Sequence, residues 1–295
     1  MPRFSLIVAT IGRTTELRCL LDSLAQQEFR DYEVILVDQN DDDRVQELVD
    51  DYVNRMPLMR TSSAKGASRA RNAGVTLASG EIIAFPDDDC WYPCGLLRNL
   101  DQWFRDNPMY SILAVGAVDE AGISSGNRWV QNSCDLHPIN IFRTTFCSSL
   151  FLRRDALGNA SFDEGIGPGS STMFGCGDET DFVLNIMTSG FRGRFDRAWQ
   201  IGHPRRDMLS QGVSSGRAVT YGSGMGRVLR KHSMFVLWIG LLTYDLLRGL
   251  IVVSRGRLAA ASLCFAHARG LVRGFVADLD GQDVLGREAA AHLSE

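Results

Sequence analysis

The sequence predicts an α/β protein built on a mostly parallel sheet with helices on both faces. Three observations carry that prediction. Short all-apolar runs recur at 4–9, 34–37 and 82–85, amphipathic stretches lie between them, and a polar cluster closes each run. Fully apolar strands are those buried on both faces, and their alternation with helices is the mark of βαβ units.

Each element has its own justification. Residues 4–9 (FSLIVA) read as a buried strand that stops at Thr10-Ile11-Gly12-Arg13. Leu17, Leu20, Leu21 and Leu24 then fall at i, i+3, i+4 and i+7, one face of a helix opened by Thr14, Thr15 and Glu16. Val34–Val37 is a second strand, ended by Asp38-Gln39-Asn40, and Val45, Leu48, Val49 and Tyr52 give the next helical face. An Ala-rich stretch over 66–79 predicts a helix, and Ile82–Phe85 a strand running into Asp87-Asp88-Asp89. Pro93 suits the first turn of a helix carrying Leu96, Leu97, Leu100, Trp103 and Phe104. From 110 to 177 the pattern weakens. A strand is expected over 146–152, and the five glycines between Gly165 and Gly177 predict a mobile loop. A helix from Asp178 to Gly190 and short strands over 194–201 precede His203-Pro204.

Composition excludes several classes. With 45% apolar and 22% charged residues the chain is globular, and its formal charge of −4 does not suit a nucleic-acid-coating protein. Charge is uneven, however. Between Arg217 and Arg273 nine Lys/Arg face one acid, Asp245, a local balance of +8. That region includes Ser233–Ser254, long enough to cross a bilayer but interrupted by Asp245 and Arg248, and a second apolar stretch, Gly256–Val276. Basic residues flanking apolar helices fit a membrane surface, in the interface rather than across it, whereas the plainer reading packs both helices on the catalytic domain or a partner. Seven scattered cysteines without a CxxC pair, and too short an apolar run at the N-terminus for a secretory signal, point to a reducing cytosol.

Ligands of open α/β sheets bind beyond the carboxyl ends of the strands, so polar residues there are the candidates. Asp87-Asp88-Asp89 comes first. Three adjacent carboxylates repel unless a cation sits among them, and Mg²⁺ or Mn²⁺ suits such hard ligands. Strand alternation lets at most two of them share one ion. Asp41-Asp42-Asp43 looks alike by composition but precedes a helix, where it reads as dipole and solubility charge with no chemistry. Asp38, at a strand terminus, can accept from a nucleobase N–H. Lys65-Gly66 through Arg71-Asn72 places cations at a helix start, favourable for phosphate, although neither a Walker loop nor GxGxxG is present. Gly177-Asp178-Glu179-Thr180-Asp181 puts acids at another helix start, either as dipole partners or as a general base. His203 is a surface histidine unless a metal lies nearby.

Together these residues resemble the GT-A-fold family 2 glycosyltransferases, especially bacterial enzymes of exopolysaccharide, O-antigen or capsule synthesis. The likeness covers about 4–205. It rests on Val8-Ala9-Thr10 with Arg13, Val37-Asp38, Gly66 through Arg71-Asn72-Ala73-Gly74, the Asp triplet before Trp91-Tyr92-Pro93, Phe162-Asp163-Glu164, Gly177 through Asp181, and His203. The resemblance implies sugar transfer from a nucleotide-sugar donor (UDP, GDP or dTDP type) with inversion. It places Thr10, Arg13 and Asp38 in the base pocket, and Lys65, Arg71 and Asn72 toward the diphosphate. Asp87 falls toward the ribose, with Asp88 or Asp89 and His203 on Mn²⁺ or Mg²⁺. Glu179 aligns with the catalytic base, with Asp178 and Asp181 beside it, although this chain has Asp-Glu where the family has Glu-Asp. The QxxRW signature of processive members is missing. The implied organisation is a catalytic domain over 1–216, with a nucleotide-sugar half to about 110 and an acceptor half beyond it, then a membrane-associating tail over 217–295. The acceptor is a glycan or a polyprenyl-diphosphate lipid at the cytoplasmic membrane face. A sugar-phosphate nucleotidyltransferase is the nearest enzymatic rival, though Thr10-Ile11-Gly12-Arg13 lacks its glycine-rich loop, and a catalytically silent membrane scaffold is the rival from another class.

Overall fold

Eight strands form one mixed sheet in a computed structural model that describes residues 1–205 and 214–277. The strands are β1 (Phe4–Thr10), β2 (Tyr32–Asp38), β3 (Leu58–Ser62), β4 (Ile82–Ala84), β5 (Ile112–Val118), β6 (Cys134–Asp135), β7 (Leu150–Arg153) and β8 (Gly193–Gly202). The helices are α1 (Thr15–Ala25), α2 (Gln46–Tyr52), α3 (Ala67–Leu77), α4 (Leu96–Asp106), α5 (Asp178–Thr188), α6 (Ser215–Lys231), α7 (Phe235–Ser254) and α8 (Leu258–Val276).

The sheet order is β3-β2-β1-β4-β7-β5-β8-β6. β1, β2, β3 and β4 are mutually parallel, as is the β5–β8 pair, while β7 runs antiparallel to both β4 and β5, and β6 antiparallel to β8. The expected all-apolar strands are those at the centre: β1, β2 and β4 are buried almost throughout. Leu17, Leu20, Leu21 and Leu24 form the buried face of α1, and Leu96, Leu97, Leu100, Trp103 and Phe104 that of α4.

Several boundaries differ from the sequence expectation. Pro93 lies ahead of α4, its carbonyl accepting from the Leu96 amide in a turn that passes through Gly95 at φ 77°. The strand expected over 146–152 begins only at Leu150, because Cys147–Ser149 closes a 3₁₀ turn first. Three strands, β3, β5 and the two-residue β6, lie where the sequence shows no clear pattern. β3 sits at the sheet edge and is half exposed, whereas β5 is apolar and buried in the stretch read as irregular.

By compactness the described residues fall into two units, 1–162 with 179–205, and 163–178 with 214–277. The first holds the sheet. In the second, residues 163–178 fold onto α6: the Gly175 amide donates to the Thr220 carbonyl at 3.1 Å, Cys176 Sγ to the Tyr221 carbonyl at 3.1 Å, and Lys231 Nζ meets Asp163 at 2.8 Å. Arg227 lies over the Phe174 ring. The loop therefore groups with the helices of the tail, where the sequence reading assigned it to the acceptor half. Residues 278–295 of the expected tail lie outside the described residues.

Candidate active site

Strand order decides where the site forms. The chain proceeds outward from β1 to β2 and β3, then returns to place β4 on the other side of β1. Ligands of open α/β sheets bind where the direction reverses, here beyond the carboxyl ends of β1 and β4. Thr10–Arg13 follows β1 and Asp87–Asp89 follows β4, so two polar clusters more than seventy positions apart meet there. Thr10 Oγ1 donates to Asp88 Oδ2 at 2.8 Å. Arg13 forms an ion pair with Asp88 and lies 3.2 Å from Asp89 Oδ2.

The three carboxylates divide their work. Asp88 turns to Thr10 and Arg13, and Asp87 Oδ1 meets Arg71 Nη2 at 3.2 Å while its Oδ2 accepts from Ser148 at 2.9 Å. Asp87 and Asp89, two positions apart, gather with His203: the three offer ligand atoms all within 4.8 Å of one another. The grouping thus takes in Asp87 where the resemblance suggested Asp88. The physical reason is that Arg13 and Thr10 already compensate Asp88. Burial is the largest influence on both partners of that pair. It pushes the Asp88 carboxyl up, against the pull of Arg13 and Thr10. For Arg13 it is outweighed by Asp88 and Asp89, which hold the guanidinium more firmly charged.

His203 is prepared to act as a ligand. Its Nδ1 lies 2.8 Å from the Pro204 carbonyl, which can only accept, so Nδ1 carries a proton and Nε2 is the nitrogen left to face a cation. Nε2 lies 3.5 Å from Asp89 Oδ1. Two carboxylates and an imidazole make a mixed oxygen–nitrogen donor set that fits a divalent cation. Cys90, despite its position, contributes nothing: full burial and the three neighbouring carboxylates push its thiol well up.

What brings His203 to the carboxylates is a backbone clasp. The Trp91 amide donates to the Gly202 carbonyl at 3.0 Å, and the Gly202 amide to the Trp91 carbonyl at 2.8 Å. The indole lies so close that a Cβ on Gly202 would stand 1.8 Å from its ring. Gly202→Ala is therefore expected to destabilise the fold by about 1–3 kcal/mol through overpacking, read as a lowered urea midpoint.

Other expected site residues are placed less simply. Asp38 stands opposite Thr10 at the end of β2, but its carboxylate is already filled. Oδ1 accepts from the amide and side chain of Asn40 at 2.9 and 2.7 Å, and Oδ2 from Arg60 Nε and Nη2 at 3.1 and 2.7 Å. A base N–H would have to displace one of these, so Asp38 orders Asn40 and Arg60 at the rim. Lys65 is exposed and meets Asp41 at 2.7 Å. Asn72 clasps the Phe162 backbone with two bonds of 2.9 Å, tying α3 to the chain that leads toward α5. Arg71 is buried against the Phe162 ring, its guanidinium on Asp87. Sequence reasoning missed Arg60 and Ser148, which only the fold brings to these carboxylates.

The acids of α5 differ in access. Asp181 is 0% exposed and accepts from Asn185 Nδ2, and Asp178 is buried, leaving Glu179 as the one with solvent access. Phe182 on the next face stacks on Phe162 at 4.0 Å and meets Phe85 edge-on, anchoring α5 to the end of β4.

Comparison with known proteins agrees with this architecture. The chain is 34% identical over 106 residues to the Campylobacter jejuni GalNAc(5)-diNAcBac-PP-undecaprenol beta-1,3-glucosyltransferase, covering 35% of this chain and 34% of that one. It is 22% identical over 201 residues to the Escherichia coli UDP-Glc:alpha-D-GlcNAc-diphosphoundecaprenol beta-1,3-glucosyltransferase, covering 66% of this chain and 74% of that one. The chain spans about a third of the length of the first curated relatives it matches, 30% and 34%. Among solved structures, the mannosyltransferase of Pyrobaculum calidifontis in complex with GDP-Man and Mn²⁺ superposes with a TM-score of 0.57 at 17% identity, covering 99% of this chain and 81% of that one. The mostly parallel sheet flanked by helices is the GT-A fold. The profile of glycosyl transferase family 2 matches residues 5–156, more than half of the chain, and the chain belongs to that family.

Proposed function

We propose that the protein is an inverting glycosyltransferase that moves a sugar from a nucleoside-diphosphate donor to a saccharide or polyprenyl-diphosphate-linked acceptor in surface polysaccharide synthesis. The observation that carries this reading is the convergence of Asp87, Asp89 and His203 beside Arg71, at the reversal of the sheet. The relatives named above are glucosyltransferases named for undecaprenol-diphosphate-linked glycans, which supports the acceptor class.

In this mechanism Asp87, Asp89 and His203 would hold a divalent cation, whose bound charge would be supplied against the negative charge developing on the departing nucleoside diphosphate. Arg71, desolvated against Phe162, adds a fixed positive charge for the same oxygens. Thr10, Arg13 and the Asp38–Asn40–Arg60 rim border the nucleoside, with Lys65 at the outer edge. Glu179 takes the proton from the acceptor hydroxyl as that oxygen attacks the face opposite the leaving group. Asp178 and Asp181 hold the first turn of α5. Residues 1–216 carry the transfer, and 217–276 keep the enzyme at the cytoplasmic face of the plasma membrane, where the lipid-linked acceptor resides.

The test is thermal denaturation with UDP, GDP and dTDP, each with and without Mn²⁺. One diphosphate at about 100 times its Kd raises Tm by about 5–10 °C in the presence of Mn²⁺ and far less without it. Equal response to all three, or none, overturns the reading. A donor panel then separates sugar transfer from pyrophosphate release, the product of a nucleotidyltransferase.

A further inference from the structure

The helical unit carries a surface that its own packing does not use. α8 is the middle layer: α6 lies against one side and α7 against the other, and α6 and α7 barely touch. The α6–α8 seam is tight. A Cβ on Gly222 would stand 2.2 Å from the His267 carbonyl oxygen, and one on Gly274 would stand 1.9 Å from that of Ser223. α7 is held from outside by one stripe, in which Trp238 Nε1 donates to the Leu271 carbonyl at 3.0 Å and Asp245 meets His267 Nδ1 at 2.6 Å. The acid inside α7 is thereby buried and partnered. Around the rest of the helix Phe235, Val236, Ile239, Leu247, Leu250 and Ile251 stand exposed, and only 11% of the apolar window is buried. The exposed charges of α7 and the turn after it are all positive: Arg248, Arg255 and Arg257.

We propose that α7 lies in the plane of an anionic lipid surface, its apolar sides among the upper acyl chains and Arg248, Arg255 and Arg257 at the phosphates. An exposed apolar surface of this extent calls for an apolar medium to cover it, and a wholly basic rim selects anionic headgroups. The layering decides against crossing. The α7–α8 turn is only Arg255-Gly256-Arg257, so a spanning α7 would draw α8 back through the bilayer, and with it α6, which carries Arg217, Arg227, Arg230 and Lys231. Four cations at that depth oppose insertion. In-plane docking immerses α7 alone.

The experiment uses the full chain with vesicles of phosphatidylcholine, alone or mixed with phosphatidylglycerol. The protein sediments with the mixed vesicles. Arg255→Gln with Arg257→Gln weakens that binding about 10- to 30-fold and leaves binding to pure phosphatidylcholine unchanged. Leu247→Glu with Leu250→Glu weakens both about a hundredfold. Tyr244→Trp, read against the native tryptophan background, is quenched by lipids brominated near the headgroup and not by those brominated at the chain ends. Chain-end quenching overturns the in-plane arrangement. Absence of binding, indifference to phosphatidylglycerol, or a concentration-dependent dimer that excludes vesicles overturns the lipid partner. The nucleotide-dependent thermal shift of the Leu247→Glu, Leu250→Glu protein reports separately on the transferase reading, since neither residue belongs to that site.

Discussion

Glu179→Gln is expected to lower the rate of sugar transfer by about 10²–10⁴-fold while leaving the Mn²⁺-dependent thermal shift with nucleotide intact. The prediction rests on access. Asp178 and Asp181 are shut away from solvent in the first turn of α5, whereas Glu179 between them is partly open. A group that takes a proton from an incoming hydroxyl must be reachable by it. Glutamine keeps the size and hydrogen-bonding capacity of glutamate but cannot accept the proton, so binding survives and turnover does not. A loss of nucleotide binding in step with activity would show that Glu179 holds the donor instead. Full activity in the variant would remove it from the mechanism.

Asp89→Asn is expected to abolish the Mn²⁺ dependence of nucleotide stabilisation and to lower transfer by about 10²–10³-fold. Asp89 stands between two kinds of partner, with Arg13 3.2 Å from Oδ2 and His203 Nε2 3.5 Å from Oδ1. Removing its charge takes one of the two carboxylates from the cation group and leaves Arg13 over Asp88 alone. Asp88→Asn is the discriminating comparison. Asp88 is committed to Thr10 and Arg13, so its loss releases Arg13 while Asp87, Asp89 and His203 remain together. Mn²⁺ titrated by isothermal calorimetry in the presence of nucleotide should bind the Asp88→Asn protein and not the Asp89→Asn protein. The reverse order would return the cation to Asp88.

The central fold is legible in the sequence because burial on both faces leaves an unbroken apolar run in each of β1, β2 and β4. The same rule should have exposed β5, whose ILAVGAV run is equally apolar. It was obscured by its surroundings, since the strands it joins are antiparallel β7 and irregular β8, not members of a βαβ series. β3 carries little signal because an edge strand is half solvated, and its Leu58-Met59-Arg60-Thr61-Ser62 has no strict period. For the site, chemistry outran address. The triplet Asp87-Asp88-Asp89 was visible, and strand alternation already joins positions two apart. Which pair faces the imidazole depends on Arg13, and that contact exists only because β4 returns beside β1. Arg60 on Asp38 and Ser148 on Asp87 are likewise products of topology, with no local pattern to announce them.

Purification strategy follows from the way residues 163–178 rest on α6. Trimming the chain ahead of Ser215 would remove the exposed apolar helix α7, but it would also take the floor from under Phe174, Cys176 and Asp163, whose partners are Arg227, Tyr221 and Lys231. The strip so undermined leads directly into the turn bearing Glu179. A shortened protein is therefore expected to lose this support, and detergent or lipid nanodiscs, not truncation, are the means by which the intact chain should be isolated.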